Sequence, residues 1–476
     1  MKNSELLKTL GSMNENEFRE FGKFIASPYF NNRSEIVRLY DALKKYHPTF
    51  SSNSFKEELI FSKVYPGKKF SGVMMRKVFS LTTNLAMSFF AVKAFEDDKL
   101  GYNVKLLDRL REKNLAGLFE KRSKTIEGLL NKLPHTYGYY SSQFEFTTVR
   151  NGYFLHTDEK SMVQGLQKEI DTFTEYFTSV ILLLYMRLHE WSKAFSIKTD
   201  LKLFDEILSF LERYDHSNIT LVNLNFTMLK LLTTEDEKYY FELLEGRKKF
   251  EKVLHETDDY NIAITLMQYC YKKVVKGDTR FRNQQFEVLN ILLEKNMLPP
   301  GDIEPYFYIN SVRNAAAIGK FGWCDDFISK YKIRLNAELR SETADCAAAL
   351  TDFYRKNFEK ALMYVSKINT DRSTLKPEFR NIQLMIYYEL NYTEELLSLL
   401  DTYRHFLSRE KTIAEKTRNA GSEFIRLVSR LLKSAREPGL EKAELLKREI
   451  ENLPYFNFRE WFLEKLDEII NKKSRQ

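Results

Sequence analysis

The longest regular pattern in the sequence lies at residues 166–195, which read LQKEIDTFTEYFTSVILLLYMRLHEWSKAF. Large apolar residues recur there at steps of three and four: Leu166, Ile170, Phe173, Phe177, Val180, Leu184, Leu188, Trp191 and Phe195. This spacing puts all of them on one face of an α-helix. The stretch therefore predicts a single unbroken helix about 45 Å long at 1.5 Å per residue.

The composition favours helices over the rest of the chain as well. The 476 residues include only 17 glycines and 10 prolines, about half the usual share of each. Sheet proteins use both residues in turns, so this scarcity indicates long helices with few tight turns. With 43% hydrophobic and 29% charged residues, the chain can bury a core and is not expected to be disordered. We predict an all-α protein, with a helical bundle as its N-terminal unit followed by an array of helical hairpins.

Charge and cysteine content bear on the compartment and the partners. The net charge is +8, from 74 basic and 66 acidic residues, and so small an excess is not a nucleic-acid signature. Three cysteines without a Cys-x-x-Cys pair, Cys270, Cys324 and Cys346, indicate a reducing compartment. The N-terminal residues hold no apolar run typical of a signal peptide, and the apolar stretch 180–186 is too short to span a bilayer. We expect a cytoplasmic protein without a membrane span.

Helical stripes and their breaks divide the sequence into three regions. Residues 1–98 read as an N-terminal helical unit, because successive short apolar stripes are separated by prolines and glycines. Residues 99–298 form a middle helical region. The strongest break in the chain is Pro299-Pro300-Gly301. We therefore assign residues 299–476 to a region of helical hairpins with basic C-terminal helices.

A repeat of about 34 residues follows this break. Trp323, Phe358 and Tyr392 begin similar segments that start 35 and then 34 residues apart. Aromatic pairs precede the last two segments, at Phe353-Tyr354 and Tyr387-Tyr388. The pattern resembles the tetratricopeptide repeat (TPR), a helical hairpin that stacks into an α-solenoid because two short helices cannot bury their apolar faces alone.

The TPR motif is degenerate in this sequence. The small residue expected in the second helix is present as Ala361, whereas Asp326 and Glu395 replace it in the neighbouring segments. We therefore describe the region as TPR-like. Its repeated aromatic residues are assigned to packing between hairpins rather than to ligand contact.

Four short segments carry a wider resemblance. They are Ser27-Pro-Tyr-Phe-Asn31, Phe321-Gly-Trp323, Tyr387-Tyr-Glu-Leu390 and Phe406-Leu-Ser-Arg409. They resemble landmarks of a family of uncharacterised, all-helical bacterial proteins of similar length. The resemblance spans the whole chain and implies an all-helical fold, but it brings no activity, cofactor or site residue with it.

The sequence contains none of the familiar catalytic or cofactor-binding motifs. Glycine-rich phosphate loops, the G-x-S-x-G elbow and the kinase signatures are all missing. No histidine lies near a cysteine in the sequence, and His189-Glu190 lacks the second histidine of a zinc-binding helix. The cluster of His255-Glu256 with Asp258-Asp259 could supply metal ligands, but capping of a helix by Asp258 or Asp259 is favoured. We predict no cofactor, no metal and no enzymatic activity.

A basic stripe is the candidate site that the sequence offers for binding a nucleic acid or an acidic partner. Arg426, Arg430 and Lys433 fall within about 60° of one another on a helix. Such a face could contact the phosphates of a nucleic acid or an acidic partner. We favour the alternative that it is an ordinary solvated face of an amphipathic helix.

These observations predict a non-enzymatic interaction or scaffold protein that presents a large helical surface to a protein partner. The alternative is a nucleic-acid-associated regulatory protein that uses the basic stripe. An enzyme with an unrecognised site comes third, since function resides in sites rather than in folds. The many aromatic residues could stack on bases, but on helical stripes we expect them to be buried.

Overall fold

The structure is a computed structural model that describes residues 4–50, 56–154, 159–195, 197, 199–298, 301–368, 375–410, 415–437 and 439–475. Helix accounts for 78% of the chain, and the residues in these ranges contain no strand. This confirms the all-α prediction, because an average globular protein is only about one-third helical.

The helices within the described ranges are named here in chain order. They are α1 (Glu5–Ser12), α2 (Glu15–Ala26), α3 (Ser34–Leu43), α4 (Glu57–Val64), α5 (Gly72–Asp97), α6 (Lys99–Glu112), α7 (Ala116–Leu130), α8 (Tyr137–Phe154), α9 (Glu159–Phe195), α10 (Phe204–Leu211), α11 (Thr220–Thr234), α12 (Glu237–Lys249), α13 (Glu256–Val275), α14 (Phe281–Glu294), α15 (Pro305–Ala317), α16 (Phe321–Tyr331), α17 (Arg340–Tyr354), α18 (Phe358–Val365), α19 (Lys376–Glu389), α20 (Thr393–Arg409), α21 (Glu415–Arg436), α22 (Glu441–Glu451) and α23 (Arg459–Ser474). Two short 3₁₀-helices cover Lys44–Tyr46 and Lys332–Arg334.

Contacts between helices group the chain into two compact units. Unit 1 comprises Met1–Leu133 and Tyr137–Phe177, and unit 2 comprises Pro134–Thr136 and Thr178–Gln476. The division falls within α9. The three regions drawn from sequence breaks rest on a different criterion, and they stay a prediction. Pro299 and Pro300 of the strongest break lie outside the described residues.

In unit 1, helices α1–α5 close around one apolar core. Each helix buries one face, because its apolar residues recur every three or four positions. Asn14 starts α2 with a capping box: its side chain accepts a hydrogen bond from the Glu17 amide at 2.9 Å, and the Glu17 carboxylate accepts one from the Asn14 amide at 2.8 Å. Helices α6–α8 form a second, smaller apolar cluster.

Helix α5 is the one helix of the described chain that is long and apolar enough to cross a membrane by length and composition. Core helices of soluble proteins meet the same criterion, so it carries little weight. In unit 1, α5 buries Val78, Ala86 and Phe89 in the core and contacts α1, α2 and α3.

The single long helix predicted from residues 166–195 is confirmed, and it is longer than predicted. Helix α9 has 37 residues, from Glu159 to Phe195, which is about 55 Å at 1.5 Å per residue. Its apolar face, however, is not covered as expected.

In unit 2, three helical hairpins follow the 299–301 break: α15–α16, α17–α18 and α19–α20. The first helices begin at Pro305, Arg340 and Lys376, 35 and 36 residues apart. Helix α17 contacts both α15 and α19, and each second helix contacts the first helix of the next hairpin. Ala361 is fully buried in α18, which packs on α17. Helices α21, α22 and α23 complete the unit beyond α20.

The repeated aromatic residues occupy different environments. Trp323 is half-buried, and its indole Nε1 donates a hydrogen bond to Asn290 Oδ1 of α14 at 3.0 Å. Phe358 packs on Phe353 of its own hairpin, with ring centres 5.5 Å apart. Tyr392 is 41% exposed. Its ring centre lies 6.3 Å from that of Tyr387 in the same hairpin. The assignment to packing between hairpins is therefore wrong for Tyr392.

Candidate interaction surfaces

The three residues of the predicted basic stripe lie on α21, and two of them form ion pairs within unit 2. Arg426 Nη2 lies 2.5 Å from carboxylate oxygens of both Glu423 and Glu449, and Arg430 contacts the second oxygen of Glu449. Burial tends to raise the pKa of Glu449, but hydrogen bonds from the two arginines lower it overall. Lys433 is exposed. The two carboxylates balance the two arginines, which favours the interpretation as a solvated face.

The cluster at the start of α13 caps a helix, but through a different residue from those predicted. His255 is the N-cap, and its Nδ1 accepts a hydrogen bond from the Thr257 amide at 3.2 Å. Asp258 and Asp259 lie inside the first turn instead. Asp259 is buried and pairs with Arg247 of α12, whose Nη2 donates to it at 3.0 Å. The capping prediction for Asp258 or Asp259 is therefore wrong, because α13 begins before them. Within the described ranges, no group of three or more potential metal ligands is found.

All three cysteine thiols are buried. Burial raises the pKa of Cys270 to about 12 and that of Cys324 to about 11. The pKa of Cys346 is also raised by burial. Because the thiolate is the nucleophile and the metal ligand, these side chains stay in their unreactive form at neutral pH.

The apolar face of α9 is exposed to solvent in unit 1. Five of its side chains, hereafter the α9 stripe, are between 39% and 64% exposed: Val163, Leu166, Ile170, Phe173 and Phe177. In unit 2, the same helix exposes Leu184, Leu188 and Trp191. The expectation that aromatic residues on the apolar face of α9 are buried is therefore wrong for Phe173, Phe177 and Trp191.

A different face of α9 holds it against α8. The Glu169 carboxylate accepts hydrogen bonds of 2.9 Å from Thr148 and Asn151 of α8. Gly165 allows a close approach, since a Cβ atom there would lie 2.4 Å from Asn151 Oδ1. Thr172, one heptad after Gly165, is buried. Small and polar side chains thus make part of the contact with α8. Phe173 also reaches α8, where its ring centre lies 5.2 Å from that of Phe144, but it stays 49% exposed.

The α9 stripe has the spacing of a coiled-coil seam. Val163, Ile170 and Phe177 lie seven residues apart, and Leu166 and Phe173 fall between them, so that steps of three and four alternate. These are the a and d positions of a heptad repeat. The seam is about 21 Å long at 1.5 Å per residue.

Periodicity alone did not reveal this surface. A 3.6-residue pattern shows that one face of a helix is apolar, but not which neighbour covers it. Two features of the sequence indicate the surface. Steps of three and four residues alternate strictly along the apolar face, and the small residues Gly165 and Thr172 lie on another face.

Comparisons of this chain with protein-family models, with curated proteins and with solved structures find no match. The resemblances to the TPR hairpin and to the all-helical bacterial family therefore stay predictions.

Proposed function

We propose that this protein is a non-enzymatic interaction protein, a scaffold of stacked helices whose α9 stripe docks a second copy of the chain. The exposure of the α9 stripe carries this proposal. Contiguous apolar surface of this kind is uncommon on soluble monomers and marks interaction sites. The occupant is a helix with the same seam, because alternating steps of three and four fit side chains into a facing helix.

The residues of the stripe favour a second copy as that occupant. A β-branched residue stands at two of the a positions, Val163 and Ile170, and Leu166 stands at the first d position. β-branched residues at a with leucine at d favour two-stranded coiled coils. The flanking positions contain a single charged residue, which is Glu169; the others are Met162, Gln167, Thr174 and Tyr176. Like charges therefore do not oppose self-association.

The exposed area agrees with a dimer of modest affinity. The five side chains expose roughly half of their surface, so the stripe offers on the order of 500 Å² per copy if each large side chain can bury about 200 Å². Two copies together bury about 1,000 Å², which is near the lower limit for a specific interface.

The hairpins of unit 2 supply the scaffold part of the proposal. Successive hairpins α15–α16, α17–α18 and α19–α20 contact one another through their first helices, and those helices begin 35 and 36 residues apart. These contacts and this period support a TPR-like array. Such arrays present extended surfaces to other proteins. A dimer formed through the α9 stripe would present two such surfaces.

Sedimentation velocity of the full chain tests the proposal. We expect the wild-type protein to dimerise at about 10 µM. The double variant Ile170→Glu/Phe173→Glu should be monomeric, because carboxylates buried across the seam would repel one another. Its helical circular dichroism spectrum should be unchanged. Lys168→Glu is the matched control, since it changes the charge equally on an exposed position away from the stripe. It should leave the dimer intact. A wild-type chain that stays monomeric at about 100 µM, or a dimer insensitive to the double variant, would overturn the proposal.

A further inference from the structure

A cavity of about 150 Å³ in unit 2 is lined by three arginines, Arg282, Arg313 and Arg459. It lies among α13, α14, α15, α17 and the start of α23. Amide side chains and tyrosines fill most of the remaining polar wall: Gln285, Asn310, Asn314, Asn457, Tyr271 and Tyr354. Thr279 and Glu460 also line it, so the wall holds one carboxylate beside three guanidinium groups.

Arg459 brings a positive charge to this cavity without a carboxylate partner. Its Nη1 donates to the Glu451 carbonyl at 2.8 Å and its Nη2 to the Val275 carbonyl at 3.1 Å. It also contacts the carbonyls of Ile450 and Leu453. The residue is only 6% exposed, and its Nε has no hydrogen-bond partner in the described structure. Carbonyl dipoles orient this guanidinium, but they do not cancel its charge.

Arg313 and Arg282 each have one carboxylate. Arg313 is 7% exposed and pairs with Glu378, and its Nη1 donates to Asn310 at 2.7 Å. Its Nε is also buried without a partner among the described residues. Arg282 Nη2 donates to Glu460 at 2.6 Å. Three guanidinium groups thus face two carboxylates, which leaves one positive charge uncompensated.

A further donor belongs to Gln285 of α14. It is 8% exposed and lines the cavity. Burying a polar amide or a charge without a partner costs several kcal/mol in model systems. The cavity thus has a buried, uncompensated positive charge in its wall, with the Gln285 amide beside it, and an anion would balance that charge.

We propose that this cavity binds a small organic anion that carries a single carboxylate or phosphate group. The oxyanion balances the excess charge, and the amide of Gln285 on the cavity wall supplies a hydrogen-bond donor. A volume of about 150 Å³ holds a molecule the size of benzene, so the ligand has roughly six to eight non-hydrogen atoms. The aromatic ring of Phe458, which lies under the Arg313 guanidinium at 4.8 Å, gives the organic part an apolar wall.

Thermal unfolding of the full chain, followed with acetate, inorganic phosphate or chloride at constant ionic strength, tests the site. We expect a saturable rise in melting temperature of about 1–2 °C at ten times Kd for acetate or phosphate, and none for chloride. The oxyanion with the lower Kd identifies the head group. A shift that does not saturate, or one equal to that with chloride, means an adventitious ion only and overturns the proposal.

Two substitutions place a carboxylate in the cavity itself. Gln285→Glu should raise the melting temperature without added anion and weaken binding of acetate or phosphate at least tenfold, because the protein then supplies its own counter-charge. Asn457→Asp should act in the same direction while keeping the oxygen that accepts the Tyr271 hydroxyl. Asn283→Asp, on the exposed side of α14, is the control with the same charge change, and it should alter neither quantity. Undiminished anion binding in both cavity variants would overturn the assignment of the site.

Discussion

Arg426 of α21 and Glu449 of α22 form an ion pair with 2.5 Å between Nη2 and Oε1. Glu449 also pairs with Arg430, so a single carboxylate joins two members of the basic stripe to the next helix. The pattern of basic residues on α21 is visible in the sequence, but its neutralising partner lies 23 residues away from Arg426 on another helix. The stripe is therefore basic when α21 is considered alone, but its charge is largely balanced by carboxylates in the folded protein.

This pairing leads to a prediction about nucleic acids. We expect no appreciable binding of duplex DNA or single-stranded RNA at physiological salt, measured by fluorescence anisotropy. Phosphate contacts by Arg426, Arg430 and Lys433 would give a dependence on salt with a slope of about −0.9 per phosphate on duplex DNA. Replacing all three with Gln would then flatten that slope by about three. Submicromolar binding that this triple variant loses would restore the nucleic-acid alternative.

The sequence predicted the helices well because a helix is a local structure. Residues three and four apart share a face whatever surrounds them, so the pattern in 166–195 was sufficient to predict α9. Whether that face is buried depends on what packs against it. In unit 1 the contact with α8 includes Gly165 and Glu169, and the periodicity of large apolar residues does not indicate such a contact. Phe173 contacts Phe144 of α8 and is still 49% exposed.

The arginine-lined cavity could not be predicted for a related reason. Arg282, Arg313 and Arg459 are 31 and then 146 residues apart in the sequence, and no motif joins them. Each of them, taken alone, looks like an ordinary surface cation. Their meeting depends on how α14, α15 and α23 pack in unit 2.

The repeated aromatic residues should differ in their contribution to stability. We expect Trp323→Ala to lower the free energy of unfolding by about 3 kcal/mol, because the indole packs between helices and loses its hydrogen bond to Asn290. Phe358→Ala should cost about 2 kcal/mol, and Tyr392→Ala less than about 1 kcal/mol, since Tyr392 is largely exposed. Urea unfolding followed by circular dichroism measures all three. Equal losses of unfolding free energy for the three variants would mean that the three side chains are equally buried, which would contradict the structure.

Because the three cysteine thiols are buried, we expect them to react slowly with thiol reagents, and we expect the protein to lose stability at alkaline pH. In the native protein we expect Cys270, Cys324 and Cys346 to react negligibly with a disulfide reagent over an hour, and all three to react in guanidinium chloride. Thiols of the unfolded chain ionise near pH 8.5, whereas the pKa values of Cys270 and Cys324 are raised to about 12 and 11. The folded state holds these protons longer, so its stability is at its full value below about pH 8 and falls as the pH rises from about 9 to 12.

Cys324→Ala separates the effect of one thiol from general alkaline unfolding. The variant should be less stable at pH 7, because alanine is smaller than the buried cysteine and leaves part of its space empty. Its stability should, however, decline less steeply between about pH 9 and 11. Rapid labelling of any one thiol in the native protein would instead show that the site is open to solvent.

The last prediction concerns the ion pair between Glu389 of α19 and Lys465 of α23. The two side chains are 11% and 8% exposed, and the Lys465 Nζ lies 3.1 Å from Glu389 Oε1. Trp461 Nε1 donates a second hydrogen bond to the same carboxylate at 2.6 Å. Removing one member of a buried pair leaves the other charge uncompensated, whereas replacing both with apolar residues removes the cost of desolvation as well. Lys465→Met should therefore destabilise the protein by about 3 kcal/mol, and Glu389→Leu by about 2 kcal/mol, because Lys465 keeps a second carboxylate partner in Glu468.

The double variant Glu389→Leu/Lys465→Met should lose at least about 2 kcal/mol less than the sum of the single variants. Lys465→Met leaves the Glu389 carboxylate without its counter-charge, and Glu389→Leu leaves the buried Lys465 with the exposed Glu468 as its close carboxylate partner, whereas the double variant removes both buried charges. The exposed pair of Lys105 and Glu145, with 2.9 Å between its charged atoms, provides a control cycle whose coupling should stay below about 0.5 kcal/mol. Both cycles are measured by urea unfolding under the same conditions. Additive effects at Glu389 and Lys465 would mean that water reaches the pair and screens it, so that α23 is not held to α19 through a buried charge.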